Sequence, residues 1–141
     1  LANQGTLPFH TWLSRRARPG YPDRMVFDLD PPDDDFARVR NGTRLTGDFL
    51  RQLGLTPYVM TTGSRGVHVV VPLDRSAEFD RVRAVASTVA EALEKRHPNT
   101  LTAEQRKNRR RGRLYLDVMR NAFGQTAVMP YSLRARCGAM R

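Results

Sequence analysis

Apolar and acidic residues alternate in Met25-Val26-Phe27-Asp28-Leu29-Asp30, and this stretch constrains the fold more than any other part of the chain. At the β-strand period of two, Asp28 and Asp30 share one face, while Met25, Phe27 and Leu29 take the other and can enter a core. Arg113 to Met119 repeats the arrangement, with Leu114, Leu116 and Val118 on one side and Asp117 opposite. If the two strands are neighbours, three carboxylates converge on one polar face. Such a cluster repels itself when ionised. The usual compensation is one or two hard divalent cations, which also bridge phosphate oxygens and neutralise charge developing in an in-line displacement. Taken alone, each piece has a plainer explanation. Asp-x-Asp before Pro31-Pro32 is a common turn, sugar-nucleotide transferases and aspartyl phosphatases use similar spacing, and an aspartate near a strand end commonly faces water.

A second piece lies in residues 57–72, which read as strand, glycine-bounded turn, strand. Gly63 and Gly66 allow a backbone to approach a phosphate closely, Arg65 adds a cationic fork, and Thr62 and Ser64 supply hydroxyls. His68 opens the second strand, facing opposite to Val67, Val69 and Val71. A lone histidine there is more often structural, but its place beside a phosphate-binding turn favours a functional role. Together with the carboxylates, this turn suggests metal-dependent nucleotidyl transfer.

Charge points to a polyanionic partner: 24 Lys and Arg against 14 Asp and Glu give a net +10. The densest part is the run from Arg106 to Arg113, six cations in eight residues immediately ahead of the Asp117 strand. Basic runs are often solvated loops, but here Lys107, Arg109, Arg110, Arg111 and Arg113 are candidates for holding nucleic-acid phosphates, with strong salt dependence and little sequence preference. Phe9, Trp12 and Tyr21 read as core packing or loop anchoring rather than base stacking. Asp33 to Asp35 read as solvated residues and a helix N-cap. The expected order is loop to Pro22, strand 24–30, a helix around 36–53 broken or shifted at Asn41-Gly42-Thr43 and Gly47, strands 57–62 and 66–72, helix 76–96, basic loop 99–112, and strands 113–119 and 126–130. This is an α+β fold, with two helices on one face of a mainly antiparallel sheet and the carboxylates on the other. The 141 residues, 40% of them hydrophobic, make a single domain, 1–141, with a modest core. One cysteine, Cys137, excludes an internal disulfide. No apolar run is long enough to cross a membrane and no secretory leader opens the chain, so a cytoplasmic, nucleoid-associated location is expected.

These pieces carry a resemblance. The chain resembles the polymerase domain of bacterial multifunctional DNA-repair ligases of the ligase D type, within the archaeo-eukaryotic primase superfamily. The matching stretches are Leu1 to Gly5 with His10-Thr11-Trp12, Pro22-Asp23-Arg24, Val26 to Pro31, Gly63 to Leu73, Arg110 to Asp117, Arg120-Asn121, and Thr126 to Arg134. They follow family order along nearly the whole chain. The resemblance implies a primase catalytic core similar to RNA-recognition folds. Asp28, Asp30 and Asp117 match metal-binding aspartates for two Mn²⁺ or Mg²⁺ ions. His68 matches a histidine on the incoming triphosphate, and Arg134 a basic residue near it. Ser64 and Arg65 fall in the loop that elsewhere carries a small residue and lysine, and Thr62 falls where many relatives have serine. The family's polymerase domains are longer, with a further N-terminal segment, so the chain is expected to be a partial core.

The resemblance implies a template-dependent nucleotidyltransferase that extends primer 3′-ends with NTPs or dNTPs on DNA during double-strand break repair by end joining. A DNA ligase and a Ku-type end-binding protein are the implied partners. The alternative is a nucleic-acid-binding remnant without turnover. A phosphatase built on Asp28 is disfavoured by Pro31-Pro32, which stand where a flexible Gly-Thr is wanted.

Overall fold

The structure, a computed structural model, describes residues 9–132; residues 1–8 and 133–141, and with them Arg134 and Cys137, lie outside the described part. In chain order the elements are β1 His10–Trp12, β2 Ser14–Arg15, β3 Arg18–Pro22, β4 Arg24–Asp30, α1 Phe36–Gln52, β5 Tyr58–Thr61, β6 Val67–Pro72, α2 Phe79–Arg96, β7 Leu101–Thr102, β8 Leu114–Asp117 and β9 Thr126–Val128. Short 3₁₀ turns lie at Lys107–Arg109 and Met119–Asn121.

The main sheet has the order β5-β6-β4-β8-β7. Every pairing in it is antiparallel except that of β7 with β8. The alternation in β4 decides which face is buried. Met25, Phe27 and Leu29 join Val67, Val69 and Val71 of β6 and Leu114 and Leu116 of β8 in one core. Over them lie Val39 and Leu50 from α1 and Val82, Ala86, Val89 and Leu93 from α2, so both helices cover the same face. The opposite face keeps Asp28, Asp30 and Asp117. A smaller cluster of Leu13, Val26, Phe79 and Ala127, with Val70 against it, covers that face at the Arg24 end of β4. The Asp30 end stays open.

Four expectations are corrected. Helix α1 runs unbroken through Asn41-Gly42-Thr43 and Gly47. Gly42 is buried where a Cβ would run into Leu114 Cδ2, so close packing of helix on sheet needs a glycine there and outweighs its poor helix propensity. As expected, the helix is capped by Asp35, whose side chain accepts from Ala37 N at 3.0 Å. The stretch to Pro22 is not a loop: β2 and β3 form a small antiparallel hairpin and β1 pairs with β9. These strands are too short, and too interrupted by Pro19 and Gly20, to show a period. The basic segment also contains β7, and strand 113–119 ends at Asp117, followed by a 3₁₀ turn.

Candidate active site

Three adjacent strands place His68, Asp28 and Asp117 in a row. Asp28 of β4 lies directly opposite His68 of β6 and, on its other side, directly opposite Asp117 of β8. Two residues further along the same face, Asp30 lies opposite Tyr115. The alternation that drives Phe27, Leu29 and Leu116 into the core thus drives the carboxylates into one cleft of about 260 Å³. Its lining includes Asp28, Asp30, Asp117, Thr62, Ser64 and His68, together with Gly66, His10, Arg120 and Val128.

Each carboxylate is already held on one side. Asp28 Oδ2 accepts from Arg120 Nε at 2.8 Å and lies 3.3 Å from His68 Nε2. Burial pushes the Asp28 carboxyl up, but the hydrogen bonds and charges of His68 and Arg120 outweigh it, and its pKa falls below the ordinary carboxylate value. Asp28 is therefore ionised at neutral pH. Asp30 Oδ2 accepts from Arg110 Nη1 at 3.1 Å, and the Arg110 guanidinium stacks on the Tyr115 ring at 3.8 Å. Asp117 Oδ1 accepts from Met119 N at 2.8 Å. Burial, then the negative charge of Asp117, push the Tyr115 phenol up to about 12, so it stays neutral beside the carboxylates. His68 is 1% exposed, and its Nδ1 has no hydrogen-bond partner among the described residues.

The turn between β5 and β6 closes the cleft. Thr62 Oγ1 donates to Gly66 O at 2.8 Å and accepts from Ser64 N at 3.3 Å. Gly63 takes a positive φ of 67°. Gly66 sits against β4, where a Cβ would run into Leu29 O and lie 3.7 Å from Asp28 Oδ1. The glycine is required by this approach of backbone to site.

Of the residues singled out in the sequence, Asp28, Asp30, Asp117, Thr62, Ser64 and His68 come together. Arg65 does not line the cleft; it pairs with exposed Asp34 at 3.5 Å. Arg134 lies outside the described residues. The basic run divides: Arg110 folds inward onto Asp30, and Arg113 pairs with Glu94 at 3.0 Å, while Lys107, Arg109 and Arg111 are exposed. Arg120, His10 and Asn121 were not singled out for the site. Asn121 is buried and substitutes for a neighbouring strand: its Oδ1 accepts from Val26 N at 2.8 Å and its Nδ2 donates to Val26 O at 2.7 Å. A local signal existed for two of them, since Arg120-Asn121 stands just past the Asp117 strand.

Comparison with known proteins identifies the family of the chain. The family profile described as LigD, primase-polymerase domain, matches residues 1–140. The chain is 36% identical over 135 residues to the multifunctional non-homologous end joining protein LigD of Pseudomonas aeruginosa, covering 95% of this chain and 16% of that protein. It is 33% identical over 136 residues to the bifunctional non-homologous end joining protein LigD of Bacillus subtilis, covering 95% of this chain and 21% of that protein. The chain thus spans about a fifth or less of these relatives' length. The solved polymerase domain of Mycobacterium tuberculosis ligase D in complex with DNA superposes with a TM-score of 0.86 at 32% identity, covering 96% of this chain and 50% of that one. On this profile match, these identities and this superposition, the chain belongs to the LigD primase-polymerase domain family.

Proposed function

We propose that this chain is the catalytic core of a template-dependent nucleotidyltransferase that adds NTPs or dNTPs to a primer 3′-end on DNA in non-homologous end joining. The observation that carries the reading is the row of His68, Asp28 and Asp117 across three adjacent strands, facing a cleft closed by a glycine turn. Family membership supports it. A DNA ligase and a Ku-type end-binding protein are the expected partners.

The donor set fits one or two Mn²⁺ or Mg²⁺ ions: three carboxylates, hard oxygen donors, share one face, and Asp28 is held ionised. Among the described residues no group of three acidic, histidine or cysteine side chains is placed to hold a metal ion. Arg120 and Arg110 supply counter-charge to Asp28 and Asp30. Asp28, Asp30 and Asp117 would hold the ions, whose chemistry is to lower the pKa of the attacking hydroxyl and neutralise phosphate charge. The protein's own groups do the rest. His68 and Arg120 fix the orientation of Asp28. Thr62 ties the turn so that Ser64 lines the cleft and the Gly66 backbone lies close to Asp28, leaving room for a triphosphate. Arg65 and Arg134 are proposed as further cations for that triphosphate, and Lys107, Arg109 and Arg111 as phosphate contacts for the DNA.

The test is extension of a labelled recessed primer with Mn²⁺ and either NTPs or dNTPs. Extension by the chain and none by Asp28→Ala/Asp30→Ala supports the reading. Salt-sensitive DNA binding without extension by either protein contradicts it and supports the binding-only alternative.

A further inference from the structure

A second basic surface lies away from the 106–113 run. The β2–β3 hairpin has Arg16 and Ala17 between its paired positions, and its register sets Arg15 directly opposite Arg18. Like charges directly opposite each other across a strand pair are unfavourable. The fold retains them: Arg15 is 66% exposed and donates from Nε to Asp23 Oδ2 at 3.3 Å, and Arg18 lies over the Tyr21 ring at 4.0 Å. Tyr21 is itself anchored, its hydroxyl 3.2 Å from Glu78 Oε1. Arg16 is exposed, and its side chain meets no acceptor among the described residues. Three cations thus crowd a tip of four residues with one paired carboxylate, Asp23, among the described residues, an arrangement that an external anion relieves.

Three residues before Arg15 is Trp12, the chain's only tryptophan. The sequence suggests packing or anchoring for it, but the residue is 53% exposed. Strand alternation puts Trp12 on the same face of the β1–β9 ribbon as His10, which lines the catalytic cleft. The backbone beneath it is fixed, because Arg24 Nη2 donates to Trp12 O at 2.7 Å and to Thr11 Oγ1 at 3.1 Å. A half-exposed Trp12 on the ribbon that carries His10 to the cleft, followed in the chain by a hairpin tip rich in exposed guanidinium groups, combines the two elements of single-strand recognition: a stacking platform and a backbone-binding cationic edge.

We propose that Trp12 and the β2–β3 hairpin form a second nucleic-acid contact, in which a base of a single strand stacks on Trp12 and its phosphates bind Arg15, Arg16 and Arg18. This rests on the reading of the chain as a nucleic-acid enzyme. The strand held here leads along the ribbon to the cleft at His10.

Because Trp12 is the only tryptophan, its fluorescence reports the contact directly. Titration of the full chain with an oligothymidylate is followed by Trp12 emission and, independently, by anisotropy of a labelled oligonucleotide. Emission should be quenched in parallel with binding, and the quench should weaken with salt. Arg16→Ala/Arg18→Ala should lower the salt slope by about 1.4, two contacts at about 0.7 each for single strands. Trp12→Ala should weaken binding about 5- to 150-fold, the loss expected for one stacked base, and Trp12→Phe should restore most of it. Circular dichroism of the variants separates misfolding from loss of contact. Binding by anisotropy with unchanged Trp12 emission and an unchanged salt slope in the arginine variant overturns the proposal and leaves the catalytic reading intact. No binding by either readout overturns both.

Discussion

Asp28 stands between opposing effects that can be separated by pH. Burial favours its neutral form, and His68 and Arg120 more than reverse this, so the folded pKa lies below the ordinary carboxylate value. A group depressed on folding contributes stability above its unfolded pKa and loses it as pH falls through the folded value. Removing Arg120 removes one of the two depressing partners. Arg120→Ala should therefore raise the acid-unfolding midpoint, modestly because the side chain is 34% exposed, as followed by circular dichroism from neutral pH downward. An unchanged midpoint would show that the pair contributes nothing. Asn121 makes a sharper case. Truncation to alanine leaves the Val26 N–H and C=O without their side-chain partner in a buried setting, at about 1–3 kcal/mol per unsatisfied group, so Asn121→Ala should melt several degrees lower. The aspartates were legible because alternation is local. The pair Arg120-Asn121 was visible as a motif, but its contacts were not, because the partners Asp28 and Val26 lie 92 and 95 residues away and only the fold brings them together.

At the level of elements, the sheet was legible where a strand buries one face and shows the other to the site. Strands β4, β6 and β8 have that pattern, and helix α2 has the three-to-four spacing of Phe79, Val82, Ala86, Val89 and Leu93. The reading failed where packing rather than period decides. Helix α1 was expected to break at Gly42, yet that glycine is what lets the helix lie against Leu114. Gly42→Ala sets two effects against each other. Helix propensity gains about 1 kcal/mol, and overpacking against a buried leucine costs about 1–3 kcal/mol. The contact wins, so thermal denaturation should show net destabilisation. A stabilised Gly42→Ala would mean that the helix–sheet distance is looser than the structure has it. The short strands β1 to β3 left no period to read, and their pairing with β9 and with each other depends on the fold already formed.

The molecule as a whole is a two-layer domain with its helices on one side and its chemistry on the other. Net charge of +10 draws polyanions to it, but the fold apportions that charge. Arg110, Arg113 and Arg120 hold carboxylates, whereas Lys107, Arg109 and Arg111 face outward, as does the tip of the β2–β3 hairpin. This division could not be read from a charge run alone, because a run records density and not direction. It also explains how a cluster of acids sits within a basic protein: cations neutralise Asp28 and Asp30 from the sides and leave Asp117 without an ion pair among the described residues. The central claim is that this carboxylate row performs nucleotidyl transfer, and Asp117 tests it most directly, since its side chain has no ion pair among the described residues. The measurement is primer extension beside DNA binding for Asp117→Ala. The account predicts that extension is abolished while DNA affinity stays within about twofold. Retained extension would contradict it.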